Sequence, residues 1–228
     1  MAIALVTGQS VQKDAASATS TTISFPVATT ANNLVAVMVR VGGTSTAAIT
    51  DDAASGGNTY NTDKSQFLSG AGTLYIFTAP NAKATTVITV TLTGGSATIR
   101  IAIAEYSGVA TSAPLDQTNV ATGSSTAPNS GNVTPGQNNE LLIGAVANAN
   151  GSAWTSPSLT SQQEVPTGGG SKLIFMDQIQ TTATTRAASV SISSQGWIAM
   201  IATYNPASSF TAKKNVAAFQ AVSRASYW

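Results

Sequence analysis

The chain contains no cysteine and no histidine, and charged residues make up only 8% of it. Each absence removes a class of chemistry. Without cysteine there is no disulfide framework and no thiolate nucleophile. Without histidine there is no Ser-His-Asp triad, and most zinc sites are excluded. Ten Lys and Arg stand against nine Asp and Glu, for a net charge of +1, so the basic footprint of a nucleic-acid binder is missing. Long apolar runs are missing too. The longest, such as Leu34 to Val39 and Ile101 to Ala104, are about strand length, against roughly 18 residues for a bilayer span; no membrane insertion is expected. The opening MAIALVTGQS has no basic residue, and its apolar run stops at Val6. A secretory h-region needs about 7–15 apolar residues, so the sequence predicts no signal peptide.

Small and hydroxyl-bearing residues fill the space instead: 38 Ala, 33 Thr and 27 Ser among 228 residues, with 43% hydrophobic overall. That apolar content suffices for a substantial core. The dominant pattern has period two. In Leu34 to Val41 one face carries Val35, Val37, Val39 and Val41, and the other Leu34, Ala36, Met38 and Arg40. Ile99 to Tyr106 alternates isoleucines with Arg100 and small residues, Thr86 to Thr93 alternates Ile88, Val90 and Leu92 with threonines, and Ala188 to Ser193 sets Val190 and Ile192 between serines. Apolar-in, hydroxyl-out alternation predicts half-buried antiparallel strands, with Thr supplying β-branching without charge. Gly42-Gly43, Ser55-Gly56-Gly57-Asn58, Gly94-Gly95 and Gly168 to Gly170 break the runs, often every 8–12 residues or so. The expectation is an all-β chain, an antiparallel β-sandwich of jelly-roll or Ig-like kind, with no helix before residue 206.

The chain also repeats itself. ANNLVAVMV resembles NNELLIGAV, GTLYIFTAPNAKATTVITV resembles GSKLIFMDQIQTTATTRAASV, and ATIRIAIAEYSG resembles QGWIAMIATYNP. Asn32 aligns with Asn138, Leu74 with Leu173 and Tyr106 with Tyr204, and the drift in spacing places a deletion in the second copy opposite Asp51 to Tyr60. An internal duplication is therefore expected: one β-sandwich repeat at residues 1–108, a second at 109–206, either in tandem or fused into one body, and a C-terminal tail or arm at 207–228. The tail carries Lys213, Lys214 and Arg224, no acid, and Phe219, Tyr227 and Trp228. Lys213, Lys214, Phe219, Tyr227 and Trp228 are the expected assembly contacts, since large aromatics anchor interfaces.

The segments Ala104-Glu105-Tyr106-Ser107-Gly108 with Pro114-Leu115-Asp116, and Asp51 through Gly57-Asn58-Thr59-Tyr60, resemble those of repeated β-sandwich modules in phage virion and bacterial extracellular surface proteins. The resemblance covers about residues 9–150, and the second copy more loosely. It implies a sandwich or jelly-roll fold, a structural or surface-binding role and no catalytic residues. A weakly charged, Thr/Ser-rich surface suits a protein living in an assembly. The sequence thus predicts a non-enzymatic virion structural protein, such as a capsid-surface decoration, made in the host cytoplasm. Its partners would be other copies of itself and other virion proteins. The alternative is a carbohydrate- or cell-surface-binding module of a fibre or adhesin.

Asp51, Asp52 and Asn58 around a glycine-rich loop have the oxygen chemistry of a Ca²⁺ site, but the spacing matches no EF-hand and favours Asx turns. Glu105 and Asp116 form the nearest approach to a glycosidase pair, although Thr203 stands where the second copy would repeat Glu105; no catalytic residue and no cofactor is assigned. Trp154, in the loop GSAWTSP, is the candidate ligand contact, ahead of Tyr60 and of Trp197, whose alternation with Ala199 and Ile201 marks it as core. Two sequons, at Asn132 and Asn150, match the glycosylation pattern and are silent in a bacterial or phage setting.

Overall fold

The computed structural model describes residues 2–166 and 170–208. Among these the regular structure is antiparallel β throughout, with no helix. The first half contains β1 (Ala4–Ala18), β2 (Ser20–Ser24), β3 (Leu34–Val41), β4 (Thr46–Asp51), β5 (Asn61–Leu68), β6 (Gly72–Ala79), β7 (Val87–Thr93) and β8 (Ala97–Ser107). One sheet has the order β1-β8-β3-β6-β5 and a second the order β2-β7-β4. The chain crosses between facing sheets so that first pairs with eighth, third with sixth and second with seventh, which is jelly-roll winding.

The second half contains β9 (Leu115–Ser125), β10 (Glu140–Asn148), β11 (Thr160–Val165), β12 (Lys172–Gln180) and β13 (Gln195–Tyr204). Its five-stranded sheet runs β9-β13-β10-β12-β11, so each strand takes the place of β1, β8, β3, β6 and β5 in turn. The outer layer is reduced to isolated bridges, Asn129–Ser189, Val133–Arg186 and Thr155–Ser191. The segment Ala188 to Ser193, expected as a strand, forms only these bridges, although Ala188, Val190 and Ile192 face inward as its alternation requires. Asn129–Ser189 and Thr155–Ser191 answer to Thr22–Thr89 and Ala48–Thr91 of the first half.

Leu34 lies opposite Tyr106, and Leu141 lies opposite Tyr204. That register moves one sequence match by a residue: Asn32 answers to Asn139 rather than Asn138. Both hold left-handed backbone, with φ of 71° and 64°, immediately ahead of their strands, a conformation Asn tolerates. The spacing between matched positions is still 107 at Ala48 and Thr155, and it has fallen to 99 by the residues unpaired in the β5 and β11 register shifts, Asp63 and Gln162. The shortfall therefore sits opposite the Asp51–Tyr60 loop.

The two five-stranded sheets pack face to face. Leu34, Met38, Leu74, Ile76 and Tyr106 meet Leu141, Ile143, Phe175, Met200 and Tyr204 in one central core. Behind the first sheet, Val35, Val37, Val39 and Ile101 pack on Ile23, Ile88 and Val90 of the outer layer. Behind the second, Leu142, Ile174 and Ile201 pack on Val133, Ala188 and Val190. The body is thus four layers deep. This corrects the half-buried expectation: β3, β6 and β10 are buried along their whole length, one face in each core. Each large apolar side chain so buried contributes about 1.5–3 kcal/mol. Hydroxyl-out alternation survives only in flanking strands such as β7.

Matched positions often exchange residues in pairs. Met38 faces Ala102 across β3 and β8, while Ala145 faces Met200 across β10 and β13. The summed volume at the pair is conserved although each position differs, which is how close-packed cores accept change. Gly144 of β10 stands where β3 has Val37. A Cβ there would lie 2.8 Å from the Cβ of Ala188, so glycine lets the thinned outer layer close on the sheet.

Candidate functional site

The buried ionisable groups of the central core join the halves. The hydroxyl of Tyr106 on β8 donates to Asp177 of β12 at 2.6 Å, and that of Tyr204 on β13 donates to Asp63 of β5 at 2.8 Å. Each tyrosine therefore reaches the opposite half, and the two clasps are reciprocal, as at a two-fold interface. The aspartates are themselves exchanged. In the first half Asp63 accepts from Thr78 at 2.6 Å, whereas in the second Asp177 stands at the Thr78 position and accepts from Gln162 at 2.7 Å. Both tyrosines are fully buried, and burial pushes their hydroxyls well above the ordinary value, with the adjacent carboxylate adding to the effect.

A second carboxylate is exchanged in the same way. Glu105 of β8 is fully buried and accepts from the Thr30 amide at 2.7 Å, Asn33 Nδ2 at 2.6 Å and Gln9 Nε2 at 3.1 Å. Thr203 occupies the Glu105 position of the second half, and Glu140 occupies that of Asn33. Glu140 is also fully buried and accepts from the Gln137 amide at 3.0 Å. The same loop amide is capped in both halves, from opposite sides of the pair. Glu105 is thus a structural carboxylate, while Asp116 accepts from the Gly136 amide at 2.8 Å.

The Asp51–Asn58 loop is closed on itself. Asp51 accepts from the Ala53 and Asn58 amides, from Asn58 Nδ2 at 2.6 Å and from Tyr60 at 2.8 Å. Asp52 accepts from Thr85 at 2.6 Å and from the Thr86 and Val87 amides, and the Thr85 hydroxyl is the largest influence lowering its pKa. Both carboxylates face N–H and O–H donors, the wrong polarity for a cation, and the described residues contain no cluster of metal-ligating side chains. Tyr60, bonded to Asp51 and held above its ordinary value chiefly by burial, is part of this turn and no sugar platform.

Trp154 is only 8% exposed and packs in the second outer core with Ile174 and Trp197, which corrects its assignment as a ligand contact in an open loop. Trp197 is buried as expected, with its indole N–H donating to Ser125 at 3.0 Å. Lys213, Lys214, Phe219, Tyr227 and Trp228 lie outside the described residues. The start of the tail is nonetheless tied down: Pro206 bridges Val109, and the Ala207 amide donates to Gly108 at 2.8 Å. Residue 207 therefore belongs to the body.

Sequence patterning missed an open groove of about 470 Å³ on the first half, lined by Thr44, Thr46, Ser65, Phe67, Thr73 and Tyr75. It exists because β5 leaves the outer layer. A closed jelly roll pairs its fourth and fifth strands; here β5 pairs β6 in the inner sheet, leaving β4 as the edge of a three-stranded layer. The uncovered floor consists of the cross-strand pairs Ser65–Tyr75 and Phe67–Thr73. No family model, no curated protein and no solved structure matches the chain.

Burial raises the pKa of Asp63, Asp177 and Glu140. For a carboxyl the folded state then binds more protons than the unfolded one, so stability falls as pH rises from the ordinary value of about 4 through the folded value. Asp52, lowered instead, loses its contribution only below the ordinary range. The melting temperature should therefore drop over the interval above the ordinary carboxyl value of about 4, and Asp177→Asn should flatten the slope. A melting temperature that rises over that interval would contradict this assignment.

Proposed function

We propose that the chain is a non-enzymatic structural subunit of a many-copy particle, a phage virion protein of the capsid-decoration kind, built by duplication of one jelly-roll unit. The observation that carries the reading is where the charge goes. Of the nine acidic residues, all but Glu164 accept a hydrogen bond from the protein itself: Asp51, Asp52, Asp63, Glu105, Asp116, Glu140 and Asp177 as described, and Asp14 from Arg100. Arg100 also donates to the Ser171 carbonyl at 3.1 Å, bringing it into the join between the halves. Asp14 and Asp52 remain exposed, but with only 8% of residues charged the exterior is rich in hydroxyls and poor in charge. Such a surface is weakly defended against self-association and suits a repeated subunit that buries it between copies. Jelly rolls serve capsids and lectins alike, so the fold supports the reading by analogy only.

In this account the segment after residue 208 is the arm that docks on a neighbour. Deleting residues 211–228 should leave the melting temperature within a degree or two of the parent while abolishing incorporation into the particle, as large aromatic anchors carry most of an interface's energy. A truncated chain that melts far lower would assign the segment to its own core and remove the arm. The second reading, a carbohydrate- or cell-surface-binding module, is favoured by the Phe67–Tyr75 groove.

A further inference from the structure

We propose that the groove between β4 and β5 binds a neutral sugar ring, with Phe67 as its stacking platform. Phe67 is 43% exposed, while its neighbour Tyr75 is 7% exposed and stacked on Phe77 with ring centroids 5.1 Å apart. The platform side chain is thus open while the floor beside it is rigid. Around it stand four hydroxyl-bearing residues, Thr44, Thr46, Ser65 and Thr73. No charged side chain lines the groove.

This combination selects its occupant. A purely apolar guest, such as an aromatic side chain, would cover the hydroxyls without satisfying them, at the cost of buried unpaired polar groups. A charged guest would find no counter-ion. A pyranose presents an apolar ring face to Phe67 and a rim of hydroxyls to the threonines and Ser65, matching both features. Compact ligand sites combine an apolar wall with a few placed polar groups in this way.

The second half supplies an internal comparison. Thr155 bridges Ser191 as Ala48 pairs with Thr91, so Trp154 answers to Ala47 and Ile174 answers to Tyr75. There a flat indole packs into the outer core with Ile174. In the first half the same position carries only the methyl of Ala47, which packs on the outer core that includes Tyr75.

The proposal is independent of the assembly reading and is tested on the full chain by amide chemical-shift mapping. Cellotetraose, chitotetraose and maltotetraose serve as neutral probes, each titrated to about 10 mM, well above a Kd of about 1 mM for a single ring site. At least one should saturate, with shifts centred on Thr44, Thr46, Phe67, Thr73 and Tyr75. Phe67→Ala should weaken that probe about tenfold or more, and Phe67→Tyr should restore it. Ser65→Trp, which sets an indole on the groove floor opposite Tyr75, should plug the groove and abolish binding. No saturation by any probe, or shifts centred elsewhere, would overturn the proposal. So would a synthetic peptide of residues 209–228 that shifts the same amides while the sugars do not, since the groove would then be the arm's dock. Particle mass is read separately, so failure here leaves the assembly reading standing.

Discussion

Removing the Tyr106 hydroxyl, with Tyr106→Phe, should destabilise the folded chain by about 1.5–3 kcal/mol, the range for a hydrogen bond to a charged group. Tyr106→Ala should cost about 3–5 kcal/mol by opening a cavity in the central core as well. The size of these effects follows from geometry. Tyr106 is fully buried, and its partner Asp177 is 6% exposed, so the lost donor is not replaced by bulk water. Asp177 keeps only Gln162 as a side-chain donor. Tyr204→Phe should behave alike through Asp63, which keeps Thr78. Urea unfolding with a constant m-value would read the losses. Combining Tyr106→Phe with Asp177→Asn should cost less than the sum of the two, because both remove the same bond. A Tyr106→Phe change within about 0.5 kcal/mol of the parent, typical of surface substitutions, would mean that the clasps do not hold the halves together.

Cutting the chain should have a still larger effect. The connection from β8 to β9 passes through Thr111 to Ala113, which are exposed. Separated there, each half would expose the face that carries Leu34, Met38, Leu74 and Tyr106, or Leu141, Phe175, Met200 and Tyr204. Such a face resembles an obligate interface, a core cut in two. Residues 2–112 and 113–208, produced as separate chains, should therefore co-purify as a one-to-one complex, and neither should persist as a monomer by itself. The exchanged pairs explain why the mixed complex is preferred. Met38 with Ala102 and Ala145 with Met200 place their bulk on opposite members of the pair, so each sheet is shaped for the other. A folded, monomeric first half in analytical ultracentrifugation would show that it does not need the second.

Period-two alternation made the strands legible, and the match of Tyr106 with Tyr204 placed the two halves in register. What patterning could not reveal was the second covered face. Ala36 and Ala102 lie on the alternate faces of their strands, and they are small because another sheet lies against them. The exchanged carboxylates were hidden for a related reason. Glu105 looked unmatched because its counterpart is Glu140, which sits across the strand pair rather than at the same position, and a residue-by-residue alignment does not search there. The one-residue misplacement of Asn138 for Asn139 concealed the same exchange, since Glu140 answers to Asn33 only in the corrected register. Trp154 misled because the loop that carries it is polar while its own side chain turns into the second outer core. The groove left no sequence signal: it arises from β5 pairing with β6 instead of β4, a choice of partner that alternation does not encode.

Assembly is the central claim, and the mass of the native species tests it most directly. Light scattering on the purified full chain, followed by electron microscopy of the peak, should give an ordered particle whose mass is a large multiple of 22.9 kDa, formed alone or on addition of the particle it decorates. A chain that stays at 22.9 kDa at every concentration, and binds no particle, would contradict the account.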